Sequence, residues 1–247
     1  MVPSFEPSSI IIICFFILIF STLCINLLIV FFSLKHGIKT VNFMTNILFF
    51  FHYIVSITIV FFSFLGFSSL IKNFFYKDFF LKFLTGYFLI GFLGLLIHFF
   101  YPISNFVSII VISIGLILFI INFKYFNEQE LLYLLLIYLF SSLFLILYSD
   151  HPIDTNMYHH PFVSYLNSEK IIFGVANIQF RFGHISFLQY VQATLINDYL
   201  HILNLAAPNI ILFVSFIYFC GKNIINTKRI NFVYLLMILL SSFLLIK

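Results

Sequence analysis

Residues 79–100 read FFLKFLTGYFLIGFLGLLIHFF and carry one formal charge, that of Lys82. An α-helix rises about 1.5 Å per residue, so a run of this length crosses the roughly 30 Å hydrocarbon layer of a bilayer. Lys82 lies one turn from the start, where its long stem lets the ammonium group reach the lipid headgroups. Gly86, Gly91 and Gly94 are small enough for another helix to approach closely. The stretch therefore predicts a transmembrane helix with a packed face.

Similar apolar runs lie on both sides of this stretch. They comprise residues 10–34, 43–70, 103–121, 131–148, 203–220 and 232–246. Together with residues 79–100, these runs predict an all-α, polytopic protein of about seven transmembrane spans. The last run is short for a complete span, which predicts that the protein continues beyond it.

The overall composition supports a membrane protein. Apolar residues make up 63% of the chain, charged residues 8%, and the mean hydropathy is +1.16. A soluble domain carries about 25% charged residues. There is no basic patch interleaved with aromatic residues, so nucleic acid is not an expected partner. Membrane lipid is.

One long polar stretch interrupts the apolar runs, at residues 150–181 with the sequence DHPIDTNMYHHPFVSYLNSEKIIFGVANIQFR. It holds three of the eight acidic residues and three of the eight histidines. Polar groups in a membrane protein are kept where they are solvated, paired or used. The stretch is therefore the candidate site, although the simpler interpretation is a long polar loop.

The polar stretch divides the chain into three parts. An N-terminal bundle of about five spans covers residues 1–149, and about two further spans cover residues 203–247. Between them, residues 150–202 contain the polar stretch and a mixed segment, 185–201. That segment carries two Gln, an Asn and an Asp among apolar residues, which predicts an amphipathic helix at the membrane interface or lining a cavity, not a span.

Asp154 has three possible roles. It is placed to act as a general base that takes a proton from an acceptor hydroxyl. With Asp150 it offers the oxygen ligands that a divalent cation prefers, so such a cation is a possible cofactor. Alternatively it caps a helix that begins near Asn156, as Asp often does. The residue pattern leaves all three roles open.

The basic residues of the stretch suit a phosphate. Arg181 has a planar fork that binds two oxygens at once, although an ion pair with a nearby acid is the competing interpretation. His159 and His160 can pair with a phosphate or donate to a leaving oxygen. Their spacing matches no firm zinc pattern. Pro161 does not fit the interior of a straight helix, so it predicts that a helix either begins or breaks at this point.

Two short motifs carry a resemblance. Residues 154–159 read DTNMYH, and residues 174–183 read GVANIQFRFG. The pair resembles a family of large, uncharacterised bacterial multi-pass membrane proteins with a D-T-x-x-Y-H element followed by G-[LV]-A-N-[LI]-x-x-R-[FL]-G. That family resembles, more distantly, membrane glycosyltransferases of the GT-C type, which use lipid-linked sugars. In those enzymes the acidic motif usually follows the first span, whereas here it follows about the fifth.

The resemblance implies a role for each matching residue. It implies catalytic roles for Asp154 and His159, and it implies that the residues contacting the substrate are Tyr158, His160, Asn177 and Arg181. The function expected on this basis is sugar transfer from a polyprenyl-phosphate carrier during cell-envelope glycan assembly. A lipid-linked saccharide transporter or flippase, or a membrane assembly subunit without chemistry, is the alternative.

The distribution of basic residues predicts the orientation. With seven spans, seven of the twelve Lys and Arg fall on one side of the membrane. Cytoplasmic loops carry the excess of these residues. The N-terminus is therefore predicted in the cytoplasm of a bacterial cell, and the polar stretch on the outer, periplasmic side of the inner membrane.

Overall fold

The computed structural model of the protein describes residues 43–71, 78–147, 159–171, 186–200 and 205–227. Its α-helices, in chain order, are α1 (Phe43–Ser68), α2 (Phe79–His98), α3 (Asn105–Asn122), α4 (Glu128–Leu147), α5 (His160–Ser168), α6 (Phe187–Leu195) and α7 (Ala207–Thr227). A short 3-10 helix, Phe123–Tyr125, follows α3. The prediction of an all-α protein is confirmed for the described residues.

Three of the described helices are long and apolar enough to cross a membrane, namely Phe79–His98, Asn105–Tyr125 and Ala207–Ile225. Shorter apolar stretches, His52–Ser68 and Gln129–Leu145, belong to α1 and α4. The runs at residues 10–34 and 232–246 lie outside the described residues. The structure therefore supports a membrane protein with three candidate spans, and the count of about seven stays a prediction.

α1 occupies the centre of the bundle, where it contacts α2, α3, α4 and α7. Its buried apolar residues include Ile57, Val60, Phe61 and Phe64, none of them more than 1% exposed. Phe61 packs edge-on against Tyr138 of α4, with 5.4 Å between the ring centroids. A helix that is apolar on all sides suits a position enclosed by other helices.

Two glycines let α1 and α3 lie side by side and run in the same direction. A Cβ atom added to Gly66 would lie 1.8 Å from the carbonyl oxygen of Gly115. Nearby, the Ser63 hydroxyl lies 2.8 Å from the carbonyl oxygen of Ile59 in its own helix and 3.2 Å from that of Ile112 in α3. Close approach of small residues is a main source of helix association in lipid. This contact therefore sets the spacing of the two helices.

The two ends of the bundle differ. We call the end where α2 and α4 finish and α3 and α7 begin the motif end, because α5 and α6 lie there. The opposite end carries two ion pairs, Lys82 with Glu130 at 3.8 Å and Lys222 with Asp78 at 3.4 Å. Partly exposed pairs of this kind stabilise a protein by about 1 kcal/mol or less. They tie the start of α2 to α4 and α7.

α6 lies within residues 185–201, for which the sequence predicts an amphipathic helix at the membrane interface or lining a cavity, not a span. It has nine residues, too few to span a bilayer, and the side chains from Gln189 to Leu195 are buried. Two of its polar side chains donate hydrogen bonds inside the protein: Gln192 to the Leu205 carbonyl at 2.7 Å, and Thr194 to the Tyr190 carbonyl at 2.7 Å. A polar helix whose groups are paired in this way can be buried, so an exposed polar face is not required.

Candidate functional site

The described parts of the polar region meet at the motif end. α5 packs against α6, and α6 packs against α2 and α3. A buried apolar cluster joins these elements, with Phe162 and Leu166 from α5, Tyr190 and Ala193 from α6, and Ile103 from the turn after α2. The Ile103 N–H also donates to the Leu166 carbonyl at 2.9 Å. The cluster therefore holds the segments before and after residues 172–185 against the same part of the bundle.

Gly91 and Gly94 form the surface of α2 that receives α6. A Cβ atom added to Gly94 would lie 2.1 Å from Thr194 Oγ1, and one added to Gly91 would lie 2.5 Å from the ring of Phe187. That ring also packs against Phe88, with 5.4 Å between the centroids. The prediction that these glycines admit another helix is confirmed, because no larger residue would leave room for α6.

His98, the last residue of α2, holds the segments on both sides of residues 172–185. Its side chain is buried, and its Nε2 atom lies 2.9 Å from the carbonyl oxygen of Glu169. A carbonyl only accepts, so Nε2 donates the ring proton. In the neutral ring Nδ1 is then an acceptor for the Tyr190 hydroxyl, 3.2 Å away. The carbonyl of His98 also accepts from the Ile171 N–H at 3.3 Å.

The Tyr190 hydroxyl is suited to this contact. The ordinary pKa of a tyrosine hydroxyl is about 10. The hydroxyl therefore keeps its proton at neutral pH and is available as a donor. The Tyr190 ring packs edge-on against the His98 ring at 5.5 Å. The pair is suited to positioning α6, since a buried hydroxyl needs a fixed partner.

His159 lies beside α6, just before α5 begins. Its Nδ1 atom is 3.5 Å from the side-chain nitrogen of Gln189. The Gln189 oxygen accepts from the Ser186 N–H at 3.0 Å, within the capping box that starts α6. Because the cap uses the oxygen, the amide nitrogen faces His159 and donates to Nδ1. The neutral His159 ring then carries its proton on Nε2, which makes that atom a hydrogen-bond donor.

Hydrogen bonds connect the turn after α6 to two helices of the bundle, α3 and α1. The Asn105 side chain at the start of α3 donates to the Asp198 carboxylate. The Asp198 N–H donates back to the Asn105 side-chain oxygen at 3.3 Å. His52 Nε2 in α1 lies 2.7 Å from the Tyr199 carbonyl oxygen and donates to it. These bonds return the chain to the motif end.

The structure describes two of the predicted site residues, His159 and His160. His160 is half-buried, and Pro161 follows it in the first turn of α5, as predicted. Outside the described residues lie Asp150, Asp154, Tyr158, Asn177 and Arg181. Their roles stay predictions, as does a helix start near residue 156. Among the residues that the structure describes, no group of three or more His, Cys, Asp or Glu side chains could hold a metal ion.

Sequence patterns did not identify the contact of His98 with Tyr190. The available signal was His98 itself, a polar side chain at the end of an apolar run. Its partners are 71 and 92 residues away in the chain, at Glu169 and Tyr190. No local periodicity reports contacts over such separations.

Residues 44–247 match the model of the family described as "Domain of unknown function (DUF8201)". No curated protein and no solved structure matches the chain.

Proposed function

The chain belongs to this DUF8201 family, and from that starting point we propose that it is an integral membrane enzyme which transfers a sugar from a polyprenyl-phosphate carrier during cell-envelope glycan assembly. The family description assigns no activity, so the proposal rests on the residues of this chain and on the resemblance of its two motifs.

The depth of the chain just before residues 172–185 is the observation that carries the proposal. α2 has 20 residues, which corresponds to about 30 Å, the thickness of the hydrocarbon layer. His98 ends this helix, and Glu169 and Tyr190 bind it directly. If α2 crosses the bilayer, His98 and Glu169 lie where hydrocarbon gives way to headgroups. The phosphate of a lipid-linked sugar lies at the same depth.

The proposed reaction is a displacement at the anomeric carbon of the donor sugar. The acceptor hydroxyl attacks this carbon and passes its proton to Asp154, the general base. The bond between the sugar and the carrier phosphate breaks, and its electrons stay on the phosphate oxygen. Arg181 binds this phosphate through its fork, and the Nε2 proton of His159 is a further donor to it.

The remaining motif residues would contact the substrate. Tyr158, His160 and Asn177 offer hydroxyl, imidazole and amide groups, which suit the hydroxyls of a sugar. A divalent cation held by Asp150 and Asp154 would stabilise the same phosphate charge. The cation and the general base are alternative uses of the Asp154 carboxylate.

The proposed orientation puts the motif end on the outer side of a bacterial inner membrane. At the opposite end of the bundle the described residues include Lys82, Lys124 and Lys222, whereas Lys170 lies at the motif end. Cytoplasmic ends carry the excess of Lys and Arg. The distribution therefore supports an outward-facing motif end.

Matched aspartate variants test the transfer reaction. Asp154→Asn removes the base and should abolish the product glycan in cells that carry the protein, with the protein level unchanged. Asp78→Asn is the control, because Asp78 lies at the opposite end of the bundle and should leave the glycan intact. An unaltered glycan profile in Asp154→Asn would reject the enzymatic role and favour a flippase or a non-catalytic subunit.

A separate experiment tests the orientation. Lys170 is exposed at the motif end, so Lys170→Cys in a background that lacks the three native cysteines offers one reactive thiol. An impermeant maleimide should label it in intact cells. Labelling that requires lysis would place the motif end in the cytoplasm and would exclude an outward-facing transferase.

A further inference from the structure

We infer that α6 is a re-entrant helix, which begins near the middle of the membrane and leads back to the motif end without crossing the bilayer. The inference rests on the level at which successive residues contact α2, and it goes beyond the finding that α6 is buried in protein. It also deepens the proposed function, since it limits how a substrate reaches the site.

The chain is at the motif end when it leaves α5. The Ile171 N–H donates to the carbonyl of His98, and the His98 ring donates to the Glu169 carbonyl. Residues 169–171 are therefore level with the last turn of α2.

Sixteen residues later, at Phe187, the chain is level with the middle of α2. The Phe187 ring lies 6.0 Å from the Tyr87 ring and 5.4 Å from the Phe88 ring, centroid to centroid. It also fills the space that a Cβ atom on Gly91 would need. α2 comprises Phe79–His98, so these contacts lie about half-way along it. That level is about 14 Å from His98 along the helix axis.

α6 then leads back to the motif end. Thr194 contacts Gly94, one turn further along α2 than the contacts of Phe187. Beyond the helix, Asp198 binds Asn105 at the start of α3. The seven residue steps from Phe187 to Thr194 rise about 10 Å, whereas their contacts on α2 move only from Gly91 to Gly94, so α6 crosses α2 obliquely as it leads back.

The surroundings of α6 meet the physical requirement for such a segment. Backbone that ends inside a membrane is tolerated only where protein or a water-filled cavity surrounds it, because lipid cannot satisfy its polar groups. The side chains of Gln189 to Leu195 are buried by the bundle. Ser186 and Gln189 satisfy backbone donors at the start of α6, and near its end the Gln192 carbonyl accepts from the Ile196 N–H at 3.0 Å.

A re-entrant α6 narrows the substrate class, provided that the proposed function holds. Gln189 belongs to the first turn of α6, so it and the contacting His159 lie below the membrane surface. A donor whose headgroup is attached to a lipid reaches this level laterally from the bilayer. A water-soluble sugar nucleotide would need a water-filled passage to the same level. The geometry therefore favours a lipid-linked donor from the leaflet at the motif end.

The absence of Trp from the chain allows a direct measurement of depth. Phe187→Trp introduces one indole at the start of α6, its inferred deep end. Phe88→Trp marks the middle of α2, and Phe100→Trp marks the motif end, since these two phenylalanines are 53% and 75% exposed. Each variant is reconstituted into vesicles of phosphatidylcholine brominated at a shallow or a deep acyl-chain position, and its fluorescence quenching is compared.

The inference expects Phe187→Trp and Phe88→Trp to be quenched more by the deep bromines, and Phe100→Trp more by the shallow ones. Aqueous iodide should quench Phe187→Trp at least tenfold less than Phe100→Trp. A depth profile of Phe187→Trp that follows Phe100→Trp would overturn the inference. Leu188→Trp repeats the comparison at the next position if Phe187→Trp does not fold.

The depth measurement is independent of enzymatic activity. A deep Phe187→Trp with an unaltered glycan in Asp154→Asn would keep the re-entrant segment and reject the transferase. A shallow Phe187→Trp with a lost glycan would keep the transferase and reject access from within the membrane. The two proposals therefore fail separately.

Discussion

Replacing Gly66 with alanine tests the contact on which α1 and α3 depend. The new Cβ atom would lie 1.8 Å from the Gly115 carbonyl oxygen and 2.9 Å from the Phe119 backbone nitrogen. Both are backbone atoms, so no side-chain rotation relieves the overlap. A favourable contact of this kind needs about 3.5 Å, and α1 and α3 must therefore separate by roughly 2 Å.

The free-energy change follows from the contacts at this crossing. Overpacking of a well-packed site costs about 1 to 3 kcal/mol. Separation also breaks the interhelical contact of the Ser63 hydroxyl, and a hydrogen bond between membrane helices contributes about 0.6 kcal/mol. Alanine recovers about 1 kcal/mol through its higher helix propensity. The net destabilisation is about 2 kcal/mol, which for a chain of this size lowers the melting temperature by about 4 to 8 °C.

Gly221→Ala is the matched control. Gly221 also lies inside a helix, α7, but a Cβ atom added there would meet nothing within 4 Å. Only the higher helix propensity of alanine then affects stability, so the melting temperature should stay constant or rise by up to about 4 °C. Thermal unfolding in detergent, followed by near-ultraviolet circular dichroism of the tyrosines, measures both variants. Equal melting temperatures for Gly66→Ala and Gly221→Ala would refute the packing described here.

Four further predictions use the same unfolding measurement. Gly94→Ala should destabilise the protein by about 1 to 3 kcal/mol. Adding Thr194→Ala in the same chain should recover most of the loss, because the clash involves Thr194 Oγ1. Free-energy changes of the two substitutions that simply add would contradict the contact. His98→Leu should cost about 1 to 3 kcal/mol by leaving its two partners unpaired, whereas His98→Gln, with one donor and one acceptor, should cost less; equal losses would show that the ring hydrogen bonds do not matter. Thr58→Val should remove the 2.8 Å hydrogen bond to Tyr138 and lower the free energy of unfolding by about 0.6 kcal/mol. This loss should vanish in a Tyr138→Phe background. Lys222→Ala should change stability by less than about 1 kcal/mol, and 0.5 M salt should abolish the difference if the ion pair is its cause.

Within the described residues, the apolar runs predicted the long helices, and most helix ends lie within a few residues of the predicted ones. The run at residues 79–100 corresponds to Phe79–His98, and the run at residues 43–70 corresponds to Phe43–Ser68. A backbone in lipid must satisfy its own hydrogen bonds, so a long apolar run has few alternatives to a helix. The glycines of α2 likewise indicated a packed face without tertiary information, because only small residues allow close approach.

The composition of the candidate site was visible in the sequence, but its assembly was not. His159 was singled out by its motif, yet nothing local indicated that Gln189 would lie against it, since the two are 30 residues apart. Asp154 and Arg181 remain predictions from chemistry and resemblance, because they lie outside the described residues.

Sequence by itself determined that this is an all-helical membrane protein with one polar region, since hydropathy and backbone hydrogen bonding act locally. Only the tertiary structure decided where that region goes. The polar residues of α6 fit an interfacial helix as well as a buried one, and the choice depended on a groove at Gly91 and Gly94 and on internal partners such as the Leu205 carbonyl. Such partners come from distant parts of the chain, so their effect appears only once the helices are packed together.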